Sequence, residues 1–185
     1  MVKSRLAAIL LALTLTATSS MNTRPALAAA AAEINREANT ALAKLYETHP
    51  DTKKLGAQAK GILVFPSIYK AGFMFGAQYG EGALRKGNKT VGYYNTVAAS
   101  YGFQAGAQQF GYALFFMNDA ALAYLDKSEG LEIGSGPSVV VLDEGMGKTM
   151  TSTTLSQDVY AVIFNQKGLM GGLGLQGSKI SKIAK

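Results

Sequence analysis

The chain contains no cysteine and no tryptophan, and His49 is its single histidine. The lack of cysteine excludes disulfides, thiol catalysis and cysteine-ligated zinc sites. A serine hydrolase triad would have to use His49, which lies beside Pro50 at a predicted helix end. No stretch reaches the roughly 18 consecutive apolar residues of a membrane-spanning helix. These absences favour a non-enzymatic domain that works without a cofactor.

The N-terminus has the three features of a secretory signal peptide. Lys3 and Arg5 precede an apolar segment, Leu6–Leu15, and Ala26–Ala28 supplies an A-x-A cleavage signature. The sequence therefore predicts that residues 1–28 are removed and that the product is periplasmic or secreted. That cleavage removes three basic residues and no acidic ones, so the formal net charge falls from +6 to +3. The basic character is thus weak support for a nucleic-acid partner, and we expect none.

A glycine-rich segment occurs twice in the middle of the chain. Gly72–Gln78 and Gly102–Gln108 share Gly, Phe, Gly, Ala and Gln at equivalent positions, and Leu173–Gln176 is a fainter third copy. A period of two predicts strands, with one apolar face that carries Phe73, Phe75, Ala77 and Tyr79. The opposite face carries glycine and glutamine. Because glycine in a strand marks bends or close approach, we expect another element to lie against Gly76 and Gly106.

The remaining pattern predicts an α+β fold. Apolar spacing predicts an amphipathic helix over Ala29–Glu47, a short helix over Thr52–Ala59 after Asp51, and a helix from Asp119 to about Lys127 capped by Asn118. Eight to ten strands, mostly joined by hairpin-length turns, predict a curved, mostly antiparallel sheet or a barrel-like sheet. We expect the N-terminal helix and one further helix to pack on this sheet, the former on its glycine face.

Charged residues supply two competing hypotheses for function. Asp143, Glu144 and Asp158 are the carboxylates that an uncharacterised hydrolase would use, although Asp143 and Glu144 border a predicted turn. Basic residues cluster before the first strand and at the C-terminus, where they are suited to anionic lipid headgroups. These candidate lipid-binding residues are Lys53, Lys54, Lys60, Lys179 and Lys182.

Several motifs occur in a fixed order along the chain. They are Lys60–Phe65, Tyr69–Phe73, Gly102–Ala107, Gln166–Leu169 and Leu175–Ser178. Together they resemble the SYLF domain, also called the Ysc84-like or actin-regulator Las17-binding family. The resemblance covers about residues 34–184, so residues 29–185 are predicted to form one SYLF-like domain.

The resemblance implies a function in lipid binding. Eukaryotic SYLF proteins bind phosphoinositide membranes, partly through an N-terminal amphipathic helix, and some bind actin, whereas the similar bacterial proteins are exported single-domain proteins. Lys70 joins the candidate lipid-binding residues because it matches the Lys of the family's Lys-Ala-Gly-Phe motif. The expected partner is an anionic lipid or membrane surface. An outer-membrane β-barrel or an envelope structural protein is the alternative that the glycine and aromatic alternation suggests.

Overall fold

A computed structural model describes residues 23–127, 130–132, 137–142, 157–168 and 177–185. Helix α1 (Thr23–Thr48) and helix α2 (Thr52–Gln58) precede two long strands. The remaining elements, in chain order, are β1 (Gly61–Lys86), β2 (Lys89–Phe116), α3 (Asp119–Ala123), a 3₁₀ turn (Tyr124–Asp126), β3 (Leu131–Glu132), β4 (Val139–Leu142), β5 (Val159–Gly168) and β6 (Lys179–Ile183).

The helices agree with the sequence pattern. Helix α1 extends the predicted helix at its N-terminus by several residues, and α2 matches its prediction to within one residue. Asn118 caps α3 as expected, because its Oδ1 accepts a hydrogen bond of 2.7 Å from the Ala121 amide. Asp51 makes no side-chain cap to α2 and pairs instead with Lys54.

The six described strands form one curled sheet that is mostly antiparallel, which confirms the α+β prediction. Strands β1 and β2 form a long hairpin that turns at Gly87–Asn88. The other edge of β2 is shared, because β6 pairs with residues 93–97 and β5 pairs with residues 108–116. Strand β3 extends the sheet beyond β6, and β4 lies parallel to β5.

Strand β1 is one continuous strand, although the sequence pattern divides the same residues into three separate strand segments. Register irregularities at residues 65–68, 73–75 and 84–85 bend it, so its first part approaches its last part. A Cβ atom on Gly80 would lie 2.9 Å from the Ser67 carbonyl oxygen, and one on Gly82 would collide with the Val64 carbonyl oxygen. Glycine therefore allows the two ends of β1 to meet, which is what curls the sheet.

Both faces of the sheet carry a hydrophobic cluster. The inner face, on the concave side, packs Phe65, Phe110 and Tyr112 against Leu122 and Leu125 of the α3 region. The outer face packs the N-terminal helix against the sheet. Its main participants are Ile34, Ala38, Ala41 and Leu45 of α1 with Val64, Ala83, Phe115, Tyr160 and Phe164.

The expectation that α1 covers the glycine face is wrong. The helix lies on the outer face, where Asn35 Nδ2 donates a hydrogen bond of 2.7 Å to the Tyr93 hydroxyl. The glycines of the inner face are approached by β1 itself. The same holds at the first repeat, because a Cβ on Gly72 would collide with the Gly76 Cα. Gly106 is exposed and has φ of 140°, so its backbone conformation, and not a helix contact, accounts for glycine there.

Several polar side chains are buried on the inner face. The Tyr112 hydroxyl donates a hydrogen bond of 3.0 Å to Thr96 Oγ1, and burial raises the pKa of Tyr112 well above its ordinary range. Gln78 Nε2 lies 3.5 Å from Ser178 Oγ. The sequence pattern also predicts strands over Thr149–Thr154 and Leu169–Ser178. The first of these, and residues 169–176 of the second with the third copy of the repeat, lie outside the described residues.

Candidate functional site

An exposed apolar surface occupies the middle of the β1–β2 hairpin on its outer face. Phe73 and Phe75 are 71% and 70% exposed, and Tyr69 is 61% exposed. We call this surface the platform. Its members are Tyr69, Ala71, Phe73, Phe75, Ala77 and Tyr79 of β1 with Val97, Ala99 and Ala107 of β2. Because large apolar side chains cluster here without cover, the platform has the character of an interaction surface.

The strand alternation explains the platform. Along β1 the side chains of Tyr69 and Tyr79 point to the outer face, while Lys70 and Gln78 are buried on the inner face. The apolar face predicted from the repeat is thus the exposed one, and the amide-bearing face is the buried one. On β1, helix α1 packs against Val64 and Ala83, and the platform residues of the stretch between them are exposed.

One lysine flanks the platform on each side. Lys179 of β6 is the cross-strand partner of Val97, and Val97 is in turn the partner of Tyr79. Because directly paired residues share a face, Lys179 lies beside the platform at one end.

The second lysine repeats this arrangement at the other end. Lys167 of β5 is the partner of Gln109, and Gln109 is the partner of Tyr69. Lys167 and Lys179 are both exposed, and within the described residues neither forms a salt bridge. The platform is therefore an aromatic surface with a free cation at each end.

The structure separates the two lysines of the predicted C-terminal group. Lys179 lies beside the platform, whereas Lys182 points to the inner side, where its Nζ lies 2.9 Å from Asp126 Oδ1. That hydrogen bond raises the pKa of Lys182. Lys70 is only 8% exposed and lies on the inner face of the sheet. In this conformation its side chain is not accessible to the surface of an anionic bilayer.

The other three predicted lysines lie on or beside α2. Lys53 and Lys60 are exposed, and Lys54 Nζ lies 3.0 Å from Asp51 Oδ1. These three lysines therefore stay together on and beside α2, and none of them belongs to the platform. Lys167 is absent from the predicted set because its relation to the platform exists only through the β2–β5 pairing.

An ion pair borders the platform near Tyr79. Lys185 Nζ lies 2.8 Å from Glu81 Oε2, and the Tyr79 hydroxyl donates to Glu81 Oε1 at 2.8 Å. Partial burial acts to raise the pKa of Glu81, but the hydrogen bonds from Lys185 and Tyr79 outweigh it and lower that pKa. The negative charge of Glu81 is therefore balanced by Lys185, and the carboxylate holds the Tyr79 ring at the platform edge.

Asp158, one of the three carboxylates of the hydrolase hypothesis, makes hydrogen bonds that connect elements of the fold. Its Oδ1 accepts from Asn118 Nδ2 at 2.8 Å, and its Oδ2 accepts from the Ser138 amide and hydroxyl, both at 3.0 Å. These contacts join the start of α3 to the starts of β4 and β5. Asp143 and Glu144 lie outside the described residues.

We expect Asp158→Asn to destabilise the fold in a pH-dependent way. The hydrogen bond from Asn118, followed by those from Ser138, lowers the pKa of Asp158 below its ordinary value of 3.8. A depressed folded pKa contributes stability that is present above the unfolded pKa and is lost as pH falls through the folded pKa. The melting temperature should thus be lower in the variant at pH 7, and the gap should narrow below about pH 4.

Thermal melts at both pH values check this expectation. Asp119→Asn, the same change on an exposed residue of α3, is the matched control and should show no such narrowing. A gap between Asp158→Asn and the parent that stays constant from pH 7 to pH 3 would show that charge plays no part.

The described part of the chain offers neither a metal site nor a spanning helix. None of its histidine, cysteine, aspartate and glutamate side chains form a group of three that could hold a metal ion. None of its helices combines the length and hydropathy needed to cross a bilayer.

Comparison with known families gives one match. A family model described as "Ysc84: Las17-binding protein actin regulator" matches residues 97–184. The match begins at Val97 on the platform and includes the flanking Lys167 and Lys179. It confirms the resemblance over this part of the chain, and the family is described by a binding partner and not by a reaction. No curated protein matches the chain.

Proposed function

We propose that this chain, whose residues 97–184 belong to the Ysc84 family, is a non-enzymatic domain that docks on anionic membrane surfaces through the platform. The observation that carries the proposal is the exposure of Phe73 and Phe75 between two lysines that form no salt bridge with any residue the structure describes. The two phenylalanine side chains enter the acyl boundary, and the tyrosines at the platform edges stay at headgroup level. Peripheral binding of this kind combines buried apolar area with attraction to anionic lipids.

The aromatic side chains supply most of the binding free energy. Fully burying a phenylalanine side chain contributes about 1.5–3 kcal/mol relative to leaving it exposed. Tyr69 and Tyr79 present an apolar ring and a polar hydroxyl, which suits the boundary between acyl chains and headgroups. Since the Tyr79 hydroxyl is already bound to Glu81, that ring is held in place before contact.

The flanking lysines supply the preference for anionic lipid. Each basic residue close to an anionic bilayer contributes about 1 kcal/mol. The long apolar stems of Lys167 and Lys179 allow their charged ends to reach headgroups beside the inserted rings. Neither lysine must first break an ion pair within the described residues, which distinguishes them from Lys54 and Lys182.

Vesicle sedimentation tests the charge requirement. Neutralising both flanking lysines, Lys167→Gln/Lys179→Gln, should remove about 2 kcal/mol and weaken binding to anionic vesicles roughly 30-fold. The parent should bind neutral vesicles weakly. It should also lose affinity for anionic vesicles as salt shortens the Debye length from about 10 Å at 0.1 M to about 3 Å at 1 M.

The matched control makes the same charge change on and beside α2. Lys54→Gln/Lys60→Gln removes two of the exposed lysines predicted from sequence clustering, and neither belongs to the platform or to the groove described below. It should change sedimentation by less than about threefold. Equal loss in the two double variants would indicate attraction by net charge alone and would overturn the platform orientation.

We also propose that the chain is exported and cleaved after residue 28. The signal features at the N-terminus support this, as does the burial pattern of α1, in which Ile34, Ala38, Ala41 and Leu45 all follow that position. Cleavage would shorten α1 from Thr23 and leave its contacts with the sheet intact. N-terminal sequencing of the mature protein should begin at Ala29, and a product that retains Lys3 and Arg5 would refute export by this route.

A further inference from the structure

A groove with a volume of about 530 Å³ lies between α1, α2 and the turn end of the β1–β2 hairpin. It shares no residue with the platform. Leu42, Ala43 and Tyr46 line it from α1, Ile62 from β1, Lys53 from α2, and Arg85 from the end of β1. Its size falls in the range of small-molecule pockets, which is about 300–1,000 Å³.

The groove walls are apolar. Leu42 and Ile62 are half-buried at the edge of the outer-face cluster, and Ala43 is exposed. The Tyr46 ring closes one end, where its hydroxyl lies so close to Gly56 that a Cβ on that glycine would collide with it. A hydrocarbon chain along these walls would cover apolar surface that is now open to water.

The charged side chains at the groove are all cations. Of the described residues that line it, only Lys53 and Arg85 are charged, and no carboxylate accompanies them. The nearby Asp51 is paired with Lys54. The Tyr46 hydroxyl, whose pKa burial raises above its ordinary value of 10, is a neutral hydrogen-bond donor near Arg85. Two cations and a hydroxyl at the rim of an apolar groove complement an anionic headgroup.

We infer that this groove binds one molecule of an anionic single-chain amphiphile. The acyl or alkyl chain lies against Leu42, Ala43 and Ile62, and the anionic head lies between Lys53 and Arg85. Such binding differs from membrane docking, because the domain holds a single amphiphile molecule and needs no bilayer. It does not involve the platform, so an experiment can reject it without rejecting membrane docking.

Titration calorimetry on the full chain tests the inference with probes below their micelle concentrations. The probes are dodecyl phosphate, dodecyl maltoside with the same chain and a neutral head, and inorganic phosphate. Dodecyl phosphate should bind with one-to-one stoichiometry, and at least tenfold more tightly than either of the other two. Because no vesicle is present, the result is independent of membrane docking.

Two variants locate the site. Ala43→Trp fills the groove from an exposed position on α1 and should abolish binding. Ala123→Trp, the same change at an exposed position of α3 outside the groove, should leave binding unchanged. Lys53→Gln/Arg85→Gln should weaken dodecyl phosphate at least tenfold. Undetectable binding, equal affinity for all three probes, or unchanged affinity in Ala43→Trp would each overturn the inference.

Discussion

Replacing Phe73 and Phe75 with serine should weaken binding to anionic vesicles on the order of 100-fold while leaving the fold unchanged. Both side chains are at least 70% exposed, so the folded protein loses little burial when they are removed. On a bilayer each ring would contribute at least about 1.5 kcal/mol, and a combined loss of about 3 kcal/mol corresponds to this change in affinity. Sedimentation with anionic vesicles at 0.1 M salt measures it.

A matched variant separates insertion from general surface hydrophobicity. Val91→Ser/Val141→Ser removes two exposed apolar side chains outside the platform, which are 48% and 39% exposed. It should bind vesicles as the parent does. If the phenylalanine variant also binds like the parent while melting at the same temperature, the platform does not enter the membrane.

The second large effect concerns the curl of the sheet. Gly82→Ala should destabilise the fold by about 3 kcal/mol, because the new Cβ would collide with the Val64 carbonyl oxygen and lie 2.8 Å from the Phe65 ring. The Val64 oxygen belongs to the backbone of β1, so it cannot move aside as the end of a flexible side chain could. For a chain of this size, that loss corresponds to a fall in melting temperature of roughly 6–12 °C.

Gly92→Ala is the control for glycine replacement within the same hairpin. A Cβ at Gly92 would meet only the Tyr94 ring, with the nearest atom at 3.1 Å, so a small ring movement accommodates it. We expect a loss below about 1 kcal/mol. A Gly82→Ala protein that melts within about 2 °C of the parent would show that the two ends of β1 do not approach as described.

Local features of the fold could be predicted from the sequence. The boundaries of α2, the Asn118 cap and the turn at Gly87–Asn88 depend on residues close together in the chain. Strand periodicity also identified which residues of the repeat share a face. These signals are local because hydrogen-bond caps and turns need only a few neighbouring residues.

Which face is buried could not be predicted in the same way. Alternation places Phe73 and Tyr79 together, but burial depends on where α1 packs. On β1 that helix packs against Val64 and Ala83, which lie outside the platform. The exposed aromatic face therefore reverses the usual expectation that apolar residues form the core.

The candidate lysines show the same limit. Lys53 and Lys54 are neighbours in sequence, whereas Lys167 and Lys179 come together at the platform only through separate pairings with β2. Strand β6 itself was not predicted, because the sequence analysis treated Lys179 and Lys182 only as part of a basic group at the C-terminus. The positions of Lys167 and Lys179 depend on strand pairing between residues far apart in the chain, which a local sequence pattern does not show.

The most direct test of membrane docking uses the absence of tryptophan from the chain. Phe73→Trp places a single indole on the platform, and Val141→Trp places one on β4 as the control. On addition of anionic vesicles, the emission of the Phe73→Trp protein should shift to shorter wavelength and be quenched by brominated acyl chains, while that of Val141→Trp stays unchanged. Unchanged emission from Phe73→Trp on vesicles that sediment the protein would contradict insertion of the platform.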